Sequence, residues 1–128
     1  MIVLDTHTWL WWTAEPKKLS RRLREELAAA DRLGVCTISC YEVGVLVRRG
    51  RIELDRPVSD WIGLALSDEG VETLPLTREV AIAAASLDDD FPGDPADRII
   101  YATARENDSP LATKDAEIRR YDRRLAIW

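Results

Sequence analysis

Four acids in this chain sit where an apolar run gives way to a segment of helical character: Asp5 in MIVLD, Glu42 in ISCYEV, Asp97 in DPADR and Asp115 in LATKD. Taken singly, each suits a helix start, where a carboxylate meets the positive end of the helix dipole and gains ~0.3–1 kcal/mol. Taken together they pose an electrostatic problem. Two carboxylates about 4 Å apart repel by roughly 4 kcal/mol at an effective dielectric of about 20, and helix dipoles alone do not offset a cluster of them. A bound divalent cation does, and ligation by oxygen alone suits Mg²⁺ or Mn²⁺. An ion held this way keeps several waters and commonly shares its coordination with phosphate. A pair of such ions would activate an attacking water and steady the leaving oxygen of a phosphodiester. The expected chemistry is metal-assisted phosphodiester hydrolysis.

Little else competes. His7 is the one histidine, and Cys36 and Cys40 are the only cysteines, so a zinc site of nitrogen and sulfur ligands cannot be assembled without carboxylates. No Ser/His/Asp triad, Cys/His pair or P-loop is present. The start of the chain lacks the basic and long apolar regions of an export signal, so both cysteines read as reduced cytosolic thiols without a role. His7 reads as a structural residue beside a strand end.

Acids from distant segments need a scaffold that carries them to one edge. Apolar runs at residues 2–4, 35–38, 71–76, 110–113 and 125–128 read as short strands. Between them lie helical stretches. TWLWW is a short helix or turn closed by Pro16, and Ser20 caps a helix over residues 21–31 that Gly34 breaks. Ser39 caps YEVGVLVRR, with Gly50 closing it, and Ser59 caps DWIGLALS. Thr77 caps REVAIAAASL. Asp94 and Pro95 open the long apolar helix that follows FPG, and Asp115 begins a short helix to Tyr121. Strands alternating with helices predict an α/β domain over residues 1–128, three-layer α/β/α with a mainly parallel sheet of four to five strands. In such sheets the binding crevice lies beyond the C-terminal strand ends, where all four acids fall. The apolar stripe after Asp97 anchors its helix in the core, so that the first turn presents the acid.

The chain has 128 residues, 46% hydrophobic and 32% charged, an ordinary globular balance. No apolar run approaches the ~20 residues needed to span a bilayer. The net charge of −5 argues against bulk attraction to nucleic acid. The basic residues are nevertheless bunched, in Lys17 to Arg24, Arg48 to Arg51 and Arg119 to Arg124. Solvated helix faces are the plain reading, and a basic rim around an acidic centre stays open.

The stretches VLDTHTWLWW, ISCYEV, GRIEL, VETLPLT, DPADRIIYATA, LATKD and the final AIW, in this order, give the chain an end-to-end identity of pattern. It resembles PIN-domain ribonuclease toxins of the VapC type, from the VapBC toxin–antitoxin family. The resemblance implies a PIN-like three-layer fold and a cytoplasmic endoribonuclease that hydrolyses RNA with Mg²⁺ or Mn²⁺. It also implies a cognate VapB-type antitoxin that wraps the toxin and blocks its site. Carried onto this sequence, it makes Asp5, Glu42, Asp97 and Asp115 the catalytic, metal-binding quartet, with Asp5 and Asp97 the firmest ligands. Asp94 falls to capping or support, and Thr6, Ser39 and Thr113 flank the acids. Leu46 stands where relatives often have lysine, and Pro92-Gly93 where they often have a His-Arg pair.

A phosphoaspartate protein, either a receiver or a dehalogenase-type phosphatase, also needs an aspartate at a strand end and Mg²⁺. The phosphatase wants a second aspartate where His7 stands, and the receiver a paired acid where Thr6 follows Asp5, so both fit poorly. A catalytically inactive PIN-fold binding module is the remaining alternative, and the presence of all four acids weighs against it. The five tryptophans are many for this length. An exposed strip of Trp9, Trp11, Trp12 and Trp61 is what an antitoxin helix or a second subunit of a homodimer would cover.

Overall fold

All of Ile2–Leu4 (β1) is buried, which a strand permits only when helices cover both faces of its sheet. In this computed structural model, which describes residues 1–128, Ile2 and Leu4 point into one apolar layer and Val3 into the other. That period of two is the signature of a strand. β1 pairs in parallel with β2 (Leu33–Cys36) and β4 (Leu111–Ala112), β2 with β3 (Val71–Leu74), and β4 with β5 (Ala126–Ile127). The order is β3-β2-β1-β4-β5, all parallel. The five-stranded sheet and its flanking helices make the three-layer α/β/α fold the sequence predicts.

Seven α-helices connect the strands: α1 Thr6–Ala14, α2 Arg21–Ala29, α3 Thr37–Arg48, α4 Val58–Ala65, α5 Arg78–Ala85, α6 Pro95–Glu106 and α7 Ala116–Tyr121. One layer packs Trp9, Leu23, Leu27, Val43 and Trp61 against Leu4 and Val35, with the Trp9 and Trp61 rings 5.3 Å apart. The other packs Phe91, Ile100, Tyr101 and Ile118 against Val3, Cys36 and Leu74. No helix is long and apolar enough to cross a membrane. The chain runs outward from β1 to β3, then α5 and α6 return it across the sheet to β4, beside β1. The reversal between β1 and β4 is the switch point at which open parallel sheets form a crevice.

Three local expectations are corrected. Gly34 does not break a helix; it lies within β2, where an added Cβ would meet Leu74 Cδ1 at 2.6 Å. β2 ends at Cys36, so Thr37 and Ile38 belong to α3, and Cys36, not Ser39, is the N-cap. Ser39 is fully buried one turn further on, where Thr6 Oγ1 meets its hydroxyl at 2.9 Å. A tertiary partner has taken the hydroxyl that local capping would have used. Likewise α4 starts at Val58 behind Pro57, ahead of Ser59. By contrast Ser20, Thr77, Asp94 and Asp115 all cap as expected, and Gly50 follows α3 with φ +67°.

Gly63 lies inside α4, exposed, with nothing within 4 Å of an added Cβ. Gly63→Ala is expected to stabilise the fold by about 0.5–1 kcal/mol, chiefly by stiffening the unfolded chain. A rise in the urea midpoint at unchanged m-value checks this, and a fall would show that α4 is not a regular helix there.

Candidate active site

Asp5, Glu42, Asp97 and Asp115 line one cavity of about 540 Å³, joined by Asp94, His7, Trp11 and Lys114. The local structure that places each acid is different. Asp5 ends β1 and caps α1: its N–H donates to Ala112 O of β4 (3.1 Å), and its Oδ1 accepts from Thr8 N–H (2.8 Å). The first acid is thereby pinned at the switch point. Asp115 caps α7 beyond the neighbouring strand, its Oδ1 accepting from Glu117 N–H (2.9 Å) and Ile118 N–H (3.1 Å). Its own N–H donates to Thr113 Oγ1 at 3.1 Å.

Asp97 stands in a reciprocal capping box. Asp94 Oδ1 accepts from Asp97 N–H (2.9 Å), and Asp97 Oδ2 accepts from Asp94 N–H (3.1 Å). Glu42, expected in the first turn of its helix, lies in the second because α3 begins at Thr37. Thr6 Oγ1 donates to Glu42 Oε1 and so ties α1 to α3. Thr6, Ser39 and Thr113 are all buried, a polar seam beneath the acids.

Capping and ligation need not compete. Asp97 and Asp115 each commit one oxygen to backbone N–H groups and leave the other, Oδ1 and Oδ2 respectively, whereas Asp5 gives Oδ1 to Thr8 N–H and is also hydrogen-bonded by the side chains of Thr113 and Thr8. Glu42 likewise keeps Oε2.

Burial is the leading cause of each raised carboxylate in the cavity, with neighbouring like charge second at Asp97. Burial raises the pKa of Asp5, with hydrogen bonding from Thr113 and Thr8 working the other way. Glu42 is raised by burial, offset by Thr6 and reinforced by the charges of Asp94 and Asp5. Asp97 is raised to about 7, by burial first and then by the charge of Asp94, with Glu42 adding to it. Lys114 is the one cationic side chain on the cavity wall.

The donor set is chemically that of a hard divalent cation: four carboxylates, with no sulfur or nitrogen needed. No three of the acidic, cysteine and histidine side chains close onto a single point, however. Asp5, Asp97 and Asp115 are held by capping bonds and Glu42 by Thr6. Mg²⁺ is commonly bound through one or two carboxylates with waters filling the remaining positions.

Carboxylates with raised folded-state pKa make the folded protein bind more protons than the unfolded chain, so stability rises as pH falls through about 7. The metal-free protein is expected to melt roughly 3–6 °C higher near pH 5.5 than near pH 8. Mg²⁺ should raise the melting temperature at the higher pH more than at the lower, because protons and metal compete for the same oxygens. Equal melting at both pH values, with and without Mg²⁺, would sink the crowded-carboxylate account.

His7, read from sequence as structural, is exposed on the cavity rim, its ring 5.7 Å from that of Trp11. Leu46 is packed against the core, so the position where relatives often have lysine faces inward in this chain. Lys114 was legible only as part of TKD; it lines the cavity, with its Nζ 5.5 Å from the Trp11 ring centre. Burial pushes the Cys36 thiol up to about 12, which keeps it protonated and inert, in keeping with the absence of a role for it.

An all-parallel α/β/α sheet with a carboxylate-lined cleft at its switch point defines the class of molecule. Its strand order also sets it apart from receiver-type proteins, which run 2-1-3-4-5. Residues 2–124 match the PIN domain family. The chain is 43% identical over 129 residues to Ribonuclease VapC22 of Mycobacterium tuberculosis (strain ATCC 25618 / H37Rv), covering 99% of this chain and 98% of that protein. This chain therefore belongs to the PIN-domain family, on its VapC branch. Among solved structures, it is similar to a toxin–antitoxin complex from Klebsiella pneumoniae (TM-score 0.70, 17% identity, 100% of this chain and 97% of that one). It is also similar to VapBC2 from Rickettsia felis bound to a DNA fragment from its promoter (TM-score 0.71, 14% identity, 99% and 98%). At these identities the two likenesses speak to the fold.

Proposed function

We propose that this chain is a Mg²⁺- or Mn²⁺-dependent endoribonuclease acting in the cytoplasm as the toxin of a VapBC-type toxin–antitoxin pair. The observation that carries the reading is the one cavity lined by Asp5, Glu42, Asp97 and Asp115. Bound Mg²⁺ or Mn²⁺ would supply the positive charge that makes water nucleophilic and offsets charge growing on the leaving oxygen. Asp5 and Asp97 would be the principal holders of that ion, with Asp115 and Glu42 on the same cavity wall. Thr6 fixes Glu42 through Oε1, so Oε2 is the atom able to take a proton from the attacking water. Lys114 on the rim would oppose the negative charge of the scissile phosphate, with His7 beside it able to hydrogen-bond a phosphate oxygen.

The ribonuclease name of the Mycobacterium relative supports RNA as substrate, and the Klebsiella and Rickettsia complexes support a VapB-type antitoxin as partner. The surface for an antitoxin helix or a second copy is narrower than the tryptophan count predicts. Trp9 and Trp61 are 0% and 7% exposed and belong to the core, whereas Trp11 and Trp12 are half-buried. Trp12 and Trp61, with Leu54 and the 57%-exposed Leu64, line a mixed groove of about 670 Å³, rimmed by Glu53, Asp55, Arg56 and Asp68, that such a partner would fill.

The test is cleavage of end-labelled single-stranded RNA by the purified chain in Mg²⁺, in Mn²⁺ and in excess EDTA. Cleavage with either metal and none in EDTA is the expected result. Cleavage unaffected by EDTA would overturn the metal reading, and binding without cleavage under all three conditions would make the chain a binding module.

A further inference from the structure

A second cavity, of about 410 Å³, opens at Ala116, one residue past Asp115. Four arginines line it: Arg119, Arg120 and Arg123 from α7 and its C-terminal continuation, and Arg22 from α2. Its remaining wall is Ala116, Ala126, Ile127 and Trp128, and no acid lines it. In a chain with 23 acids against 18 basic residues, this is a local reversal of charge. Arg119, Arg120 and Arg123 form no ion pair, and Arg22 has only the exposed i,i+4 contact to Glu26.

Of the acids nearest in sequence, Glu117 is exposed on α7, does not line the cavity and pairs with none of these arginines, and the other two are engaged elsewhere. Asp115 caps α7, and Asp122 accepts from Tyr101 OH and from the N–H groups of Arg124 and Leu125. Arg119 donates through Nη2 to Lys114 O at 3.2 Å, while its Nε is buried without a partner. A solvated helix face would account for arginines on α7 alone; it does not account for Arg22 arriving from a separate helix to complete the ring.

The arginine cavity is also joined to the carboxylate cavity. Trp128 in its wall meets Trp11, in the wall of the other, edge-on at 6.0 Å. Lys114 lines the carboxylate side while its carbonyl holds Arg119. The two cavities share a partition of indoles and basic side chains. Guanidinium groups bind phosphate oxygens in pairs and stay charged at every working pH.

We propose that the Arg22, Arg119, Arg120 and Arg123 cavity is a subsite for backbone phosphates of single-stranded RNA whose scissile bond lies at the carboxylate centre. The subsite rests on the nuclease reading, and it supplies the attraction for a polyanion that the net charge of the whole chain does not.

The test is fluorescence anisotropy of a labelled single-stranded RNA with the full chain in EDTA, where cleavage is silent, across a salt titration. The Arg120→Gln/Arg123→Gln double variant is expected to bind about tenfold more weakly, and its log K against log salt slope to fall by roughly 1.4, about 0.7 for each phosphate no longer neutralised. Arg78→Gln, at the start of α5 and lining neither cavity, is expected to leave affinity and slope unchanged. In Mg²⁺ the double variant should lose more in KM than in kcat. Wild-type affinity and slope in the double variant, with RNA cleavage intact, overturn the subsite alone. A reduced slope in a chain that never cleaves with metal overturns the nuclease reading and, with it, the placing of a scissile bond beside the cavity, leaving an RNA phosphate-binding surface only. Weakened binding of a labelled polyglutamate peptide by the double variant, with RNA binding unmoved, assigns the cavity to an acidic protein segment and overturns the RNA assignment.

Discussion

Asp97→Asn is expected to reduce RNA cleavage at saturating Mg²⁺ on the order of 10³-fold or more, while leaving the protein folded. Asparagine matches the aspartate in size, and its side-chain oxygen can still accept from Asp94 N–H, the hydrogen bond of 3.1 Å that closes the capping box. What disappears is the negative charge on an oxygen pair that burial and Asp94 already hold at a pKa of about 7. Near pH 8 the metal-free variant should therefore melt at or above the wild-type temperature, since one buried like charge has gone. Its melting temperature should no longer respond to Mg²⁺. Asp94→Asn provides the contrast. Asp94 gives Oδ1 to the helix start, and asparagine caps nearly as well, so activity should largely remain. If Asp97→Asn cuts RNA at near wild-type rate while Asp94→Asn does not, the ligand is the wrong member of the pair. If both cut normally, metal hydrolysis at this helix fails.

The acids at helix starts were legible because the signals that mark them are local. An acid closing a short apolar run needs only a few residues of context, as at Asp5 and Asp115, and Asp97, which follows α5 and a loop, not a strand, is marked by the Asp94-Pro95 helix start and the apolar stripe after it. Caps were legible where the hydroxyl or carboxylate serves its own helix, as at Ser20 and Thr77. They were illegible where a partner distant in sequence takes the group. Ser39 looks like a cap until Thr6, 33 residues away, reaches it. Gly34 looks like a helix break until Leu74 of the adjacent strand β3 fills the space over it. The tryptophans share this limit. In α1 every position from Trp9 to Trp12 is apolar, so periodicity cannot say which indole faces the core. Packing places Trp9 inward against Trp61 and leaves Trp11 on the site. The arginine cavity was invisible for a further reason: Arg22 and Arg123 are neighbours only once β5 lies beside β4.

Gly93→Ala is expected to destabilise the protein by about 1–3 kcal/mol and to cut cleavage on the order of 10²-fold. Pro92-Gly93 was a departure from the pattern of relatives with no reason visible in sequence. The structure supplies one. A Cβ at Gly93 would lie 2.5 Å from Asp97 Cβ, 2.6 Å from Phe91 Cε1 and 3.1 Å from Asp97 Oδ2. Phe91 cannot retreat, because it is buried with its ring 5.1 Å from Tyr101 and 5.2 Å from Tyr121. Asp97 cannot retreat without moving the first turn of α6, whose Ile100 and Tyr101 are fixed in the core. The loop or the helix start must shift, and either shift moves the oxygens of Asp97. The expected signature is a lower melting temperature together with a weakened Mg²⁺-induced rise, the reverse of the gain at Gly63. Adding Phe91→Leu separates the two clashes, since it frees space at the ring and none at Asp97. The double variant should recover part of the stability and little of the cleavage. Full cleavage and a wild-type response to Mg²⁺ in Gly93→Ala would mean that Asp97 is not held against this turn, and the close approach at Gly93 would lose its functional meaning.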